Sequence, residues 1–228
     1  MVGDGSGGPA GPVRSLLEAP PNESPRAHPN ALSPASVKPR ELQFSRTSPR
    51  AGVLLDRDGT IIVDHGHVGS VDRVEFIEGS AEAVARLNRA KVPVAVVTNQ
   101  AGVARGLYDI SDVETVHRYI SNRLADHGAH IDRYFYCPYH PEGTVPAFTH
   151  ASNDRKPNSG MARAAAEALN LDLSSSWVVG DRPEDVGLAE AVGANAIYLG
   201  RDTCTRPGVL SFPNLGRAAT YILERIRV

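Results

Sequence analysis

The chain has 228 residues, 41% hydrophobic and 22% charged, a composition that suits one globular domain of moderate size. A formal net charge of -2 and a pI near 6.4 leave no electrostatic footprint for nucleic acid or an anionic membrane surface, so an anion must be gripped by a local site. The two cysteines, Cys137 and Cys204, exclude a disulfide-stapled secreted scaffold and favour a reducing interior.

Residues 1–48 are rich in Gly, Pro, Ser and Asn and sustain neither helical nor strand periodicity. Such a segment cannot bury enough apolar area to offset its ordering entropy, so a disordered tail is expected there. The stretch "VRSLLEA", Val13 to Ala19, predicts no more than a transient turn of helix. The amino terminus lacks the cationic start and apolar core of a secretory signal, and no apolar run reaches membrane-spanning length. A cytoplasmic protein without membrane or nucleic-acid partners is the expectation.

From Ala51 the texture changes to strands alternating with helices, and residues 49–228 form the predicted domain. "AGVLLD" (51–56) predicts a strand, and "SAEAVARLNRA" (80–90) a helix capped by Ser80. Then come a buried strand at 92–98, a helix at 111–128 and a strand at 131–137. A helix at 159–171, a strand at 176–181 and a helix at 183–193 follow, with Pro183 near its start and Gly193 past its end. A strand at 195–200 and a helix over 215–227 complete the pattern. The fold class is therefore α/β: a doubly wound, mostly parallel sheet with helices on both faces.

Ligands of such sheets bind beyond the carboxyl ends of the strands. Here the strand ends carry Asp56 and Asp58, then Thr98 and Asn99, then Gly180 and Asp181. Gathered together, Asp56, Asp58 and Asp181 would repel one another and rise in pKa unless a cation joined them. Mg²⁺, a hard ion that takes oxygen ligands, fits best. One carboxylate is then free to attack phosphorus, while Lys156 and the Thr98 hydroxyl hold the oxygens whose charge grows.

The segments "DRDGT" (56–60), "VVTN" (96–99), "RKP" (155–157) and "GDRPED" (180–185) resemble the four motifs of the haloacid dehalogenase-like phosphohydrolases. A finer resemblance, over residues 52–200, is to the D-glycero-D-manno-heptose 1,7-bisphosphate 7-phosphatases and the related histidinol phosphatases. It rests on "LLDRDGTIIVDHGHV", "TNQAGVARG", "CPYHPEG", "RKPNSGM" and "VGDRPEDV". The resemblance implies a phosphomonoesterase in which Asp56 is the nucleophile and Asp58 the acid–base group. It implies that Asp56, the main-chain carbonyl of Asp58 and Asp181 hold Mg²⁺, and that Thr98 and Lys156 stabilise the phosphoryl group. Substrate recognition falls to Asp64, His65, Gly66, His67, Asn99, Gln100, Arg155 and Arg182. Arg155 suits a second phosphate because its planar fork meets two oxygens at once.

The intervals from Asp56 to Thr98 and from Thr98 to Lys156 hold no room for a separate cap domain, so loops alone shape the mouth. That agrees with a monomeric sugar phosphate or an amino-alcohol phosphate as substrate, and a monomeric enzyme is separately expected. Histidinol phosphate is the alternative substrate. A non-catalytic phospho-acceptor module is the alternative of another class, against which Asp58 argues.

The chain also departs from the resembled pattern. The family's structural zinc loop uses Cys-x-His and Cys-x-Cys, but Tyr139, Ser152 and Asp154 stand at three of those positions beside Cys137. A tetrahedral site needs its full ligand set, so a structural zinc is not expected. A rearranged set of Cys137, His140, His150 and Asp154 is the competing reading. Arg182 stands where lysine is common, and Ala101 where serine is frequent.

Overall fold

The computed structural model describes residues 13–14, 48–200, 204 and 206–226. Its strands are β1 (Val13–Arg14), β2 (Val53–Leu55), β3 (Val94–Asn99), β4 (Arg133–Cys137), β5 (Trp177–Gly180), β6 (Asn195–Leu199) and β7 (Leu210–Phe212). Its helices are α1 (Ser80–Arg89), α2 (Ile110–Ala125), α3 (Gly160–Leu169), α4 (Pro183–Val192) and α5 (Leu215–Leu223). The sheet order is β1-β4-β3-β2-β5-β6-β7. Every pairing from β4 through β7 is parallel, and β1 joins β4 antiparallel, with Val13 opposite Tyr136 and Arg14 opposite Phe135.

Strand alternation divides the core into two layers. Val53 and Leu55 of β2 pack with Val94 and Val96 of β3 on one face, under α1, α2 and α5. Leu54, Ala95 and Val97 turn to the other face and meet Met161, Ala162 and Ala165 of α3 with Leu188 and Ala189 of α4. A strand covered on both faces has no solvent side, which is why β2 reads Val-Leu-Leu without a polar residue. The chain builds outward from β2 through β3 to β4, then crosses back to place β5 on the other flank of β2. That reversal opens a crevice at the carboxyl end of β2.

Several boundaries differ from expectation. Gly79, with φ 75°, caps α1, and the Ser80 hydroxyl instead donates to Ile61 O at 2.8 Å, tying the helix to the turn after β2. Asp109 caps α2 through a capping box with Asp112. Strand β7 was not predicted. Val13–Arg14 is extended rather than helical. The expected disorder of the tail otherwise concerns residues outside the described ones, Ser48 apart.

Candidate active site

The turn after β2 is built around one carbonyl and one glycine. Arg57 O accepts from Ile61 N at 2.9 Å and from Ile62 N at 3.1 Å, closing a tight loop that carries Asp56 and Asp58. Gly59 has φ 77°, and a Cβ there would stand 2.1 Å from Asp181 Oδ2. Only glycine permits both the conformation and the approach of the carboxylate.

Lys156 joins two of the acids. Its Nζ lies 2.8 Å from Asp56 Oδ1 and 2.6 Å from Asp185 Oδ1, and the lysine is 3% exposed. Burial alone would lower its pKa, but Asp185 and Asp56 more than offset this and hold it above the usual lysine range. Asp56 Oδ1 also accepts from Arg57 N at 2.7 Å. The backbone of Lys156 is fixed by Asn99, whose Oδ1 accepts from Lys156 N at 3.0 Å and whose amide nitrogen donates to Lys156 O at 3.2 Å.

Asp58 is raised by burial, against the pull of Arg57 and with a further push from Asp56. Two side chains hold it through three contacts. Arg57 Nη2 reaches Oδ2 at 3.0 Å, Arg57 Nε donates to the same oxygen at 3.2 Å, and Gln100 Nε2 donates to it at 3.0 Å. Arg57 itself is fully buried and also donates to Val68 O at 2.7 Å and to Gln100 Oε1 at 3.0 Å.

Asp181 is pushed up to about 7 by burial, then by Asp56 and Asp185, with Arg182 pulling the other way. Its Oδ1 is buried without a hydrogen-bond partner. Asp56, Asp181 and Asp185 present ligand atoms within 4.8 Å of one another. An orphaned carboxylate oxygen in an all-oxygen donor set is what a hard divalent cation would satisfy, so the residues fit Mg²⁺. Within that set Asp185 is already engaged: Lys156 takes Oδ1 and Arg182 N donates to Oδ2 at 3.0 Å.

Asp56, Asp58, Asp64, Gly66, His67, Thr98, Asn99, Gln100, Arg155, Lys156 and Arg182 line one cavity of about 320 Å³, with Ala101, Tyr108 and Glu184. Two predicted residues stand elsewhere. His65 turns away to Glu75, at 2.9 Å, and Asp181 sits beside the cavity with the acidic group rather than in its lining. The 64–67 loop is laced by Arg73, whose guanidinium donates to His65 O at 2.7 Å and to Gly66 O and His67 O at 3.0 Å. Arg182 pairs with Asp64 across the mouth.

Arg57, Asp185 and Arg73 were missed from the sequence. Asp185 had a signal: it stands four residues after Asp181, two past the proline that opens α4. Arg57 had another, since an arginine between two acids at the end of a buried strand must be paired somewhere.

In the 137–155 loop, Cys137, His140, His150 and Asp154 bring no group of ligand atoms within reach of one ion. The Tyr139 ring instead lies 4.3 Å from the His150 ring and 5.9 Å from Phe148, centroid to centroid. Burial pushes the Cys137 thiol up, and its Sγ faces Tyr139 O at 3.8 Å. Thr144 N and Val145 N both donate to Ala104 O, at 2.7 and 2.9 Å, binding this loop to the turn after β3. Arg155 makes one long bond, to Tyr139 O at 3.4 Å.

Residues 153–227 match the family described as HAD-hydrolase-like. The chain is 38% identical over 174 residues to the D-glycero-beta-D-manno-heptose-1,7-bisphosphate 7-phosphatase of Escherichia coli K12, covering 76% of this chain and 88% of that one. A HAD-like phosphatase structure from Mesorhizobium loti superposes with a TM-score of 0.73 at 31% identity, over 80% of this chain and 90% of the other. The D,D-heptose 1,7-bisphosphate phosphatase of B. bronchiseptica, solved with magnesium and phosphate, gives 0.69 at 31% identity, over 76% and 98%. An acidic cluster and a buried lysine meeting at the ends of β2 and β5, on a chain this similar to those enzymes, have one family reading: the protein belongs to the heptose-bisphosphate 7-phosphatase family of HAD-like phosphoric monoester hydrolases.

Proposed function

We propose that the chain is a Mg²⁺-dependent phosphomonoesterase that removes the 7-phosphate of D-glycero-D-manno-heptose 1,7-bisphosphate, in nucleotide-activated heptose biosynthesis. The observation that carries the reading is the state of Asp56. Lys156 Nζ and a backbone N–H hold its Oδ1, which leaves Oδ2 to attack, with the Asp58 carboxyl in the same cavity.

In the first step Asp56 Oδ2 bonds to phosphorus, the ester P–O bond breaks, and the Asp58 carboxyl gives its proton to the departing sugar oxygen. Burial favours the protonated form of Asp58 that this requires. In the second step Asp58 takes a proton from water, the water oxygen bonds to phosphorus, and the Asp56–phosphorus bond breaks. Lys156 and Thr98 hold the phosphoryl oxygens throughout. The Thr98 hydroxyl accepts from Gln100 Nε2 at 2.9 Å, so its own hydrogen is free to donate. Asp56, the Asp58 carbonyl and Asp181 would hold Mg²⁺, which when bound supplies positive charge to those oxygens.

Arg155 keeps most of its fork unspent and suits the second phosphate, with His67, Gly66, Asp64 and Arg182 at the mouth. Asn99 and Gln100 face the cavity, but their amides are engaged inside the protein, so they act on Lys156 and Asp58 rather than on the sugar. We place the enzyme in the cytoplasm as a monomer, in keeping with its two free cysteines; among the described residues no helix is long and apolar enough to cross a membrane.

The test is a side-by-side assay of phosphate release from the β-anomer of the heptose bisphosphate and from histidinol phosphate, with and without Mg²⁺. A kcat/KM at least about tenfold higher on the bisphosphate, and dependent on Mg²⁺, is expected. Preference for histidinol phosphate would overturn the substrate. Phosphorylation of Asp56 without turnover would favour the phospho-acceptor reading.

A further inference from the structure

Among the cavity-lining side chains with no part in these steps is one aromatic ring. Tyr108, just before α2, lines the cavity and donates its hydroxyl to Gln100 Oε1 at 2.8 Å. Its ring is wedged between two backbone segments. A Cβ at Gly69 would stand 2.1 Å from Tyr108 Cδ1, and one at Gly102 would stand 2.2 Å from its Cζ. The absence of side chains at both positions makes the slot that the ring fills, and the slot aims the hydroxyl at Gln100.

Gln100 is 1% exposed and has spent its whole hydrogen-bonding capacity. Oε1 accepts from Arg57 Nη2 and Tyr108 Oη, and Nε2 donates to Asp58 Oδ2 and Thr98 Oγ1. Because Arg57 and the Tyr108 hydroxyl both act as donors here, they fix the oxygen side of the amide, which presents the nitrogen side to Asp58. Arg57 Nη2 is itself divided among Gln100, Val68 O and Asp58.

We propose that Tyr108 is a positioning residue for proton transfer: its hydroxyl locks the Gln100 amide, and the locked amide aims Asp58 at the leaving oxygen. The proposal rests on the phosphatase reading above. As the Asp56–phosphorus bond forms and the ester bond breaks, the proton passes from Asp58 to the departing oxygen. A misaimed Asp58 therefore slows esters whose leaving oxygen needs that proton, and spares esters whose leaving group departs as a stable anion.

The experiment compares the full chain with Tyr108→Phe, measuring kcat/KM on the sugar bisphosphate and on 4-nitrophenyl phosphate, whose leaving group needs no proton. This parameter covers events up to phosphoryl transfer to Asp56 and excludes the later hydrolysis. The variant is expected to fall about tenfold on the sugar phosphate and to stay within about twofold on the aryl phosphate. Gly102→Ala, which crowds the ring, should give the same asymmetry. Equal falls on both substrates, or an unchanged rate on the sugar phosphate, overturn the proposal. Failure of the parent chain to hydrolyse either ester overturns the phosphatase reading itself.

Discussion

Lys156 is a buried cation that Asp56 and Asp185 make tolerable. Removing one member of a buried ionic group strands its partners, at a cost of about 3–5 kcal/mol. Lys156→Met should therefore abolish turnover and lower stability by about that amount at neutral pH. The loss should shrink in acid as the stranded carboxyls take up protons, which denaturant melts at several pH values will show. Asp56→Asn and Asp58→Asn should each abolish turnover while remaining folded, and unimpaired hydrolysis in both would remove the mechanism. Asp181 supplies a pH dependence of its own. Its folded pKa of about 7 lies above the ordinary carboxylate value, so its charged form is the disfavoured one. In protein stripped of divalent cation, the contribution of Asp181 to stability is fully present below the ordinary carboxylate range and is lost as pH rises through about 7. Mg²⁺ should restore most of it, as thermal melts with and without the ion will read. At this scale the acids were legible because they interrupt apolar strand ends. Arg57 was legible only as a charge in need of a partner, because charge patterning does not reveal that an arginine is fully buried.

Strands and helices obey the same limit. The long apolar runs of β3 and β5 and the periodicity of α1 and α2 announce themselves. Strand β7 does not, since "LSF" spans three half-buried residues after Pro207-Gly208 and before Pro213, too short for alternation to register. His65 looked like its neighbours in "DHGH", but the turn through Gly66 sends it to Glu75. The 137–155 segment is held by the rings of Tyr139, Phe148 and His150 and by backbone bonds to Ala104. A chelator selective for zinc should leave both activity and melting temperature unchanged, while EDTA inhibition should be reversed by Mg²⁺ alone. Loss of activity restored only by zinc would show that this loop binds metal after all.

Across the whole molecule, alternation of βα units made the doubly wound class legible, and strand-end chemistry pointed to the crevice beyond β2. What stayed hidden is long-range: Arg57 to Gln100, Tyr108 between Gly69 and Gly102, Val13–Arg14 on the edge of β4. Such pairings depend on which segments meet, and local pattern does not encode that. Removing residues 1–48 should leave turnover within about twofold, because every described residue of the cavity lining lies between Asp56 and Glu184. It should also uncover the β4 edge, so the truncated chain is expected to self-associate more readily, as light scattering will show.

Asp56, the proposed nucleophile, follows directly on the most interior strand of the sheet. β2 is three residues long, wholly buried, and flanked on both sides by parallel partners. Its amide protons should therefore exchange with deuterium on the timescale of global opening, whereas those of outlying β7 escape sooner through local fraying. Catalytic competence, on this account, is a readout of the protein's slowest-opening unit: the molecule can breathe at its margins and still hold an intact reaction centre.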